Sequence, residues 1–197
     1  MTDFRFRIQL IRLGKTKSNE EQRYLGTTDE PISPKGRADI LQKRGQYEEP
    51  DFLYVSPMRR CVETGQLLFP GRTPVICSSF REMDFGDFEG KNYRELSGNP
   101  DYQAWIDSGG TLAFPNGESR EAFVSRCMDG YRQMMEQVKT TVLEQPASER
   151  KECYTVAAVV HGGTIMAVCS QKEQGEYFSY QCKNGEGYVL WETVRSD

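Results

Sequence analysis

Histidine is almost missing from this chain: His161 is the only one in 197 residues. A metal centre built on imidazole ligands is therefore disfavoured, and no cofactor or metal is expected. The six cysteines (Cys61, Cys77, Cys127, Cys153, Cys169 and Cys182) never approach closer than 13 positions. That spacing excludes a zinc knuckle and a CxxC redox pair, leaving reduced, mostly buried thiols as the expectation. No apolar run approaches the roughly 18 residues of a membrane span. The opening Met1-Thr2-Asp3-Phe4-Arg5 lacks the apolar centre of a signal peptide, so a cytoplasmic location without a membrane partner is expected. There is no basic excess either. The net charge is −4, which argues against a nucleic-acid partner.

What remains fits a soluble globular chain, with 37% hydrophobic residues and a mean hydropathy of −0.67. Its length suits one domain over residues 1–197, able to bury roughly 70% of its unfolded surface. Strand and helix signals alternate. Phe4, Phe6, Ile8 and Leu10 alternate with Arg5, Arg7 and Gln9, which predicts an edge-compatible strand with one apolar face. Ser33-Pro34 predicts a capped helix start, and Gly45 a stop. Phe52–Val55 reads as a short buried strand, and Ser56-Pro57 as a second cap-plus-proline start for a helix reaching Phe69. A short strand is expected at Pro74–Cys77. From Ser119 to Leu143, apolar residues at three- and four-residue spacings predict one long amphipathic helix. Tyr154–Val160 is continuously apolar, as for a strand covered on both faces, and Gly187–Val194 reads as a closing strand.

This alternation predicts an α/β fold, a three-layer α/β/α sandwich with a mainly parallel central sheet and helices on both faces. Ligands of such sheets bind at the carboxyl ends of the strands. Three segments would meet there: Arg12 after the first strand, Ser56-Pro57-Met58-Arg59-Arg60 after the second, and His161-Gly162-Gly163 after the buried strand. Guanidinium groups, helix N-termini and close-approach glycines together suit an oxyanion. Taken singly, Arg12 is more often a surface arginine and His161 equally a structural histidine.

Five segments resemble, in order and over nearly the whole chain, the signatures of the histidine phosphatase superfamily. Within it the likeness is to the phosphoglycerate-mutase-like branch that includes α-ribazole phosphatases and fructose-2,6-bisphosphatase domains. They are Ile-Arg-Leu-Gly-Lys-Thr-Lys-Ser-Asn at 11–19, Gly-Thr-Thr-Asp-Glu-Pro-Ile-Ser-Pro-Lys-Gly-Arg at 26–37, Val-Ser-Pro-Met-Arg-Arg-Cys-Val-Glu-Thr at 55–64, Arg-Glu-Met-Asp-Phe-Gly-Asp-Phe-Glu-Gly at 81–90, and Val-Val-His-Gly-Gly at 159–163. The resemblance implies that Arg12 and Arg60 grip a transferred phosphoryl group and that His161 is a third phosphate contact. It also implies that Glu82 is the general acid and that Asn19 touches the substrate. Lys15 stands where many relatives are acidic and reads as a solvated lysine. The implied partner is a small phosphorylated metabolite or inorganic phosphate.

One residue departs from the pattern. The resemblance puts the nucleophilic histidine at position 13, and that residue is Leu13. Leucine has no lone pair to receive a phosphoryl group, and loss of a covalent nucleophile can cost about 10⁶-fold in turnover. The sequence thus implies a phosphomonoester hydrolase of this type in which the phosphohistidine route is blocked. The alternative is a pseudophosphatase that only binds its ligand. The stretch 91–117, with Tyr93, Tyr102, Trp105 and Phe114, is expected to form a lid or cap over the pocket.

Overall fold

The computed structural model describes residues 4–194. Five strands form one sheet in the order β3-β2-β4-β1-β5: β1 is Phe4–Arg12, β2 Phe52–Val55, β3 Val75–Ile76, β4 Cys153–Val160 and β5 Gly187–Val194. All neighbours run parallel except β5, which pairs antiparallel with β1. The α/β sandwich expected from the alternation is therefore observed. One element differs. β1 lies inside the sheet, between β4 and β5, and is not at an edge. Its alternating residues each find cover: Phe4, Phe6, Ile8 and Leu10 enter one core, while Ile11 and Leu13 enter the other. Gln9 is buried and bonded to the backbone of Glu48 at 2.9 Å, while Arg5 on the same face stays exposed and Arg7 half-buried.

The helices divide between the two faces. The short α1 (Lys17–Glu20) follows β1, and α2 (Pro34–Gln42) and α3 (Arg59–Leu68) build the smaller core with Leu53, Val55 and Val159. On the other face, α5 (Arg120–Leu143) and α6 (Gly162–Lys172) build the larger one around Phe123, Tyr131, Met134, Val138 and Ile165. Ser33 and Ser119 cap α2 and α5 through their side chains, as their spacing predicts. Ser56 does not cap α3. That helix starts at Arg59 behind Met58, which makes no side-chain cap, because the Ser56 hydroxyl is turned to His161 instead. Between β3 and α5 lies α4 (Pro100–Asp107), capped by Asn99, within the 91–117 stretch. Among the described residues no helix is long and apolar enough to cross a membrane. All six cysteines are free; Cys61, Cys127 and Cys169 are buried and the others partly so.

Candidate active site

Parallel pairing brings the three predicted segments to one sheet edge. Arg12 is in register with Val160, and Val55 with Val159. Leu13, Ser56 and His161 each stand one residue beyond their strands, tied together by the bonds Leu13 N–H to Val160 O (3.0 Å) and Ser56 N–H to Val159 O (3.0 Å). The side chains then separate by the two-residue period of the strand. Arg12 projects with Leu10 to the α5/α6 side. Leu13 projects with Ile11 to the α2/α3 side, where it is 4% exposed in one cluster with Ile32, Ile40, Val55 and Cys61.

His161 immediately precedes α6, makes no side-chain cap to it, and is buried. Its Nε2 is 2.7 Å from Ser56 Oγ and 3.6 Å from Cys61 Sγ. Its Nδ1 is 3.8 Å from Glu82 Oε2. Burial, followed by the neighbouring Arg60, Arg12 and Arg126 guanidiniums, holds the imidazole well below its ordinary pKa. Burial pushes the Glu82 carboxyl the other way, above the ordinary carboxylate range, against the Met83 N–H and the two arginines. At neutral pH the imidazole of this contact is uncharged, and burial makes the facing carboxyl harder to ionise than a free one. Gly163 makes their approach possible, since a β-carbon there would come within 2.6 Å of Glu82 Oε1.

Arg60 is also buried, at 1% exposure. Its Nη1 donates to Thr28 O at 2.7 Å and its Nη2 to Gly26 O at 2.8 Å. Its fork therefore grips the loop that follows α1. That loop is held from the other side by Glu89, which accepts from the N–H groups of Gly26 and Thr28. Asn19 closes a capping box with Thr16 and accepts from Asn184 at 3.3 Å.

A cleft of about 650 Å³ opens over the α5/α6 side. Arg12, Glu82, Gly162 and Gly163 line its base, and Tyr24, Phe85, Trp105, Phe114, Tyr177 and Phe178 form an aromatic wall. Leu13, Arg60, His161 and Asn19 do not line it. The site residues read from the sequence thus fall into an accessible set, Arg12 and Glu82, a buried set, Leu13, Arg60 and His161, and the partly exposed Asn19, which lies off the cleft. Arg12 donates to Cys182 O at 2.5 Å, while its Nε is buried with no partner among the described residues. Of the 91–117 aromatics, Trp105 and Phe114 face the cleft. Tyr102 stacks behind Trp105 at 6.2 Å, and Tyr93 is exposed beneath Arg94.

Sequence reasoning passed over Arg120, which lies 5.4 Å from the Tyr177 ring centre and 5.8 Å from that of Phe178. The available signal was the aromatic density of Tyr177-Phe178-Ser179-Tyr180, too irregular for a strand. It also passed over Arg126. This side chain pairs with both Glu118 oxygens (2.7 and 3.0 Å) and donates to the carbonyls of Ser79, Arg81 and Glu82, so it sets the path of the loop carrying Glu82.

Comparison with known proteins agrees with this architecture. The sequence pattern of the histidine phosphatase superfamily (branch 1) matches residues 8–190, and the chain belongs to that family. A Hydrogenobacter thermophilus protein provisionally named phosphoserine phosphatase 2 is 28% identical over 168 residues, 82% of this chain and 76% of the relative. The adenosylcobalamin/α-ribazole phosphatase of Salmonella typhimurium is 30% identical over 61% of this chain and 62% of its own. Among solved structures, the α-ribazole phosphatase of Shigella flexneri superposes with a TM-score of 0.74 at 21% identity, covering 97% of this chain and 91% of that one, which shows the shared fold.

Proposed function

We propose that this protein binds a small phosphorylated metabolite, or inorganic phosphate, in the Arg12 cleft and does not turn it over through a phosphohistidine. The observation that carries this reading is Leu13, packed among Ile32, Ile40, Val55 and Cys61 at the position where the family nucleophile stands. In this reading Arg12, which lines the base of the cleft, is the principal phosphate contact through the guanidinium donors not spent on Cys182 O. The N-terminal N–H groups of α6 at Gly162 and Gly163 add partial positive charge. His161 and Arg60 retain the family's positions and stiffen the floor from behind; each can reach a phosphate only by giving up its present bonds. Glu82, which lines the cleft beside Arg12 and whose carboxyl pKa is raised by burial, is placed to donate a proton to a leaving or bridging oxygen. Asn19 orders the loop beside the site. The 91–117 segment acts as a cap, through Trp105 and Phe114. The aromatic wall favours a ligand with a ring or other flat apolar part. In this reading the protein works in the cytoplasm.

A second reading keeps the chain a phosphomonoester hydrolase, with water attacking directly and Glu82 assisting; the Glu82–Arg12 juxtaposition favours it. The two separate experimentally. Calorimetry with phosphate, vanadate and sugar phosphates is expected to show binding that Arg12→Ala abolishes, while aryl phosphate hydrolysis stays at background. Turnover that Glu82→Gln removes would establish the second reading. Absence of binding at millimolar ligand would overturn the first.

A further inference from the structure

On the opposite side of Arg12 a second cleft of about 510 Å³ opens, lined by Arg12, Lys15, Lys43 and Lys183 together with Asp39 and Glu186. Four cations against two carboxylates leave it with a net charge of +2. Among the described residues the lysine ion pairs belong to Lys17, Lys139, Lys151 and Lys172, so the three ammonium groups here are uncommitted. Glu186 is occupied in part by the backbone N–H of Lys183 at 3.3 Å.

The cleft is also built. Gly185 has φ +74, and a β-carbon there would come within 2.8 Å of Lys43 Cδ. A glycine in this left-handed conformation is what lets the Lys43 stem lie against the 183–186 turn. The same turn is anchored to the site. Gly185 N–H donates to Arg12 O at 2.9 Å, and Asn184 Nδ2 donates to Leu13 O at 3.0 Å. Arg12, Cys182, Lys183 and Glu186 line both clefts.

We infer that the second cleft seats a second oxyanion, phosphate or carboxylate, of the ligand whose first phosphate lies in the main cleft, with Arg12 bridging the two and Lys15, Lys43 and Lys183 neutralising the second. The preferred ligand is then a small molecule with two anionic groups. This inference rests on the reading of the main cleft as a phosphate site.

The test compares a hexose bisphosphate, O-phosphoserine and a hexose monophosphate by calorimetry, on the unaltered chain and on the double variant Lys15→Gln/Lys43→Gln. The bisphosphate is expected to bind at least about tenfold tighter than the monophosphate, with the excess weakened by salt. The double variant is expected to remove that excess and to leave monophosphate binding unchanged. An excess seen with O-phosphoserine as well identifies a general oxyanion site; one confined to the bisphosphate identifies a phosphate site. Equal affinities on the unaltered chain, or an excess that survives the double substitution, would overturn the inference. If no sugar phosphate binds at all, the main-cleft reading fails, and amide shifts on adding inorganic phosphate then decide the second cleft. Shifts at Asn184 and Gly185 that vanish in the double variant retain it as an oxyanion site, and their absence overturns it.

Discussion

His161 Nδ1 and Glu82 Oε2 lie 3.8 Å apart, yet burial draws each towards its neutral form, the imidazole by lowering its pKa and the carboxyl by raising its own. Their effects on stability against pH are therefore opposite in sign. Below about pH 6.5, the ordinary histidine value, unfolded His161 binds a proton that folded His161 refuses, so stability falls as the pH drops towards the lowered folded pKa. For Glu82 the folded state binds the extra proton above the ordinary carboxylate range, so stability falls as the pH rises through that window. Glu82→Gln is expected to raise the neutral-pH melting temperature, with the gain shrinking under acid. His161→Gln is expected to flatten the acid limb. Melting curves from pH 4 to 8 check both, and an unchanged profile in either variant contradicts the burial argument.

Leu13 decides between packing and chemistry. Leu13→Ala is expected to cost about 2–4 kcal/mol, as for other buried leucines, with no gain of activity. Leu13→His is expected to lose stability, because it puts a polar ring among Ile32, Ile40 and Val55, and to raise aryl phosphate hydrolysis above background. A folded but inactive Leu13→His protein would assign the loss of catalysis to a second change, for which the carbonyl-bound Arg60 fork is the candidate.

Arg60→Ala tests that fork. Removing it leaves the Gly26 and Thr28 carbonyls without their donor, and the expected cost is about 2–4 kcal/mol. Chemical denaturation measures it. Faster amide exchange at residues 25–30 should accompany the loss; a cost near zero would show that the loop is held by Glu89 alone.

Arg126→Ala is expected to cost about 2–3 kcal/mol, since the Arg126–Glu118 pair is only 14% and 13% exposed. It should also perturb the loop bearing Glu82. Lysine at this position can keep the charge but not the fork, so Arg126→Lys is expected to recover less than half of the loss. Full recovery would reduce the contact to simple charge neutralisation.

Much of this was legible in the sequence. The period-two run at Phe4–Leu10, the apolar run of β4 and the helical stripe of α5 specify their elements locally, because burial in a sheet or against it demands those periods. The proline and serine at 33–34 mark a helix start through groups one turn apart. The five ordered segments were enough to identify the family and the residues gathered at the strand ends. Ser56 misled as a cap because its hydroxyl answers to His161, 105 positions away, and no local rule sees such a partner. β1 read as edge-compatible, but it lies inside the sheet because Gly187–Val194, far along the chain, pairs with its free side.

The sequence by itself determined the α/β class, the family and which residues could be brought to the strand ends, since each depends on residue type, ordered segments and short-range period. Only the tertiary structure decided which of those residues meet the open cleft. Arg12 and Leu13 are neighbours in the chain, but strand alternation sends one to the cleft and the other into the α2/α3 core. Arg60 and His161 sit at matching positions, but burial and the carbonyls of a returning loop determine what they bind. Those outcomes depend on contacts between segments far apart in sequence, which exist only once the sheet has brought the strand ends together.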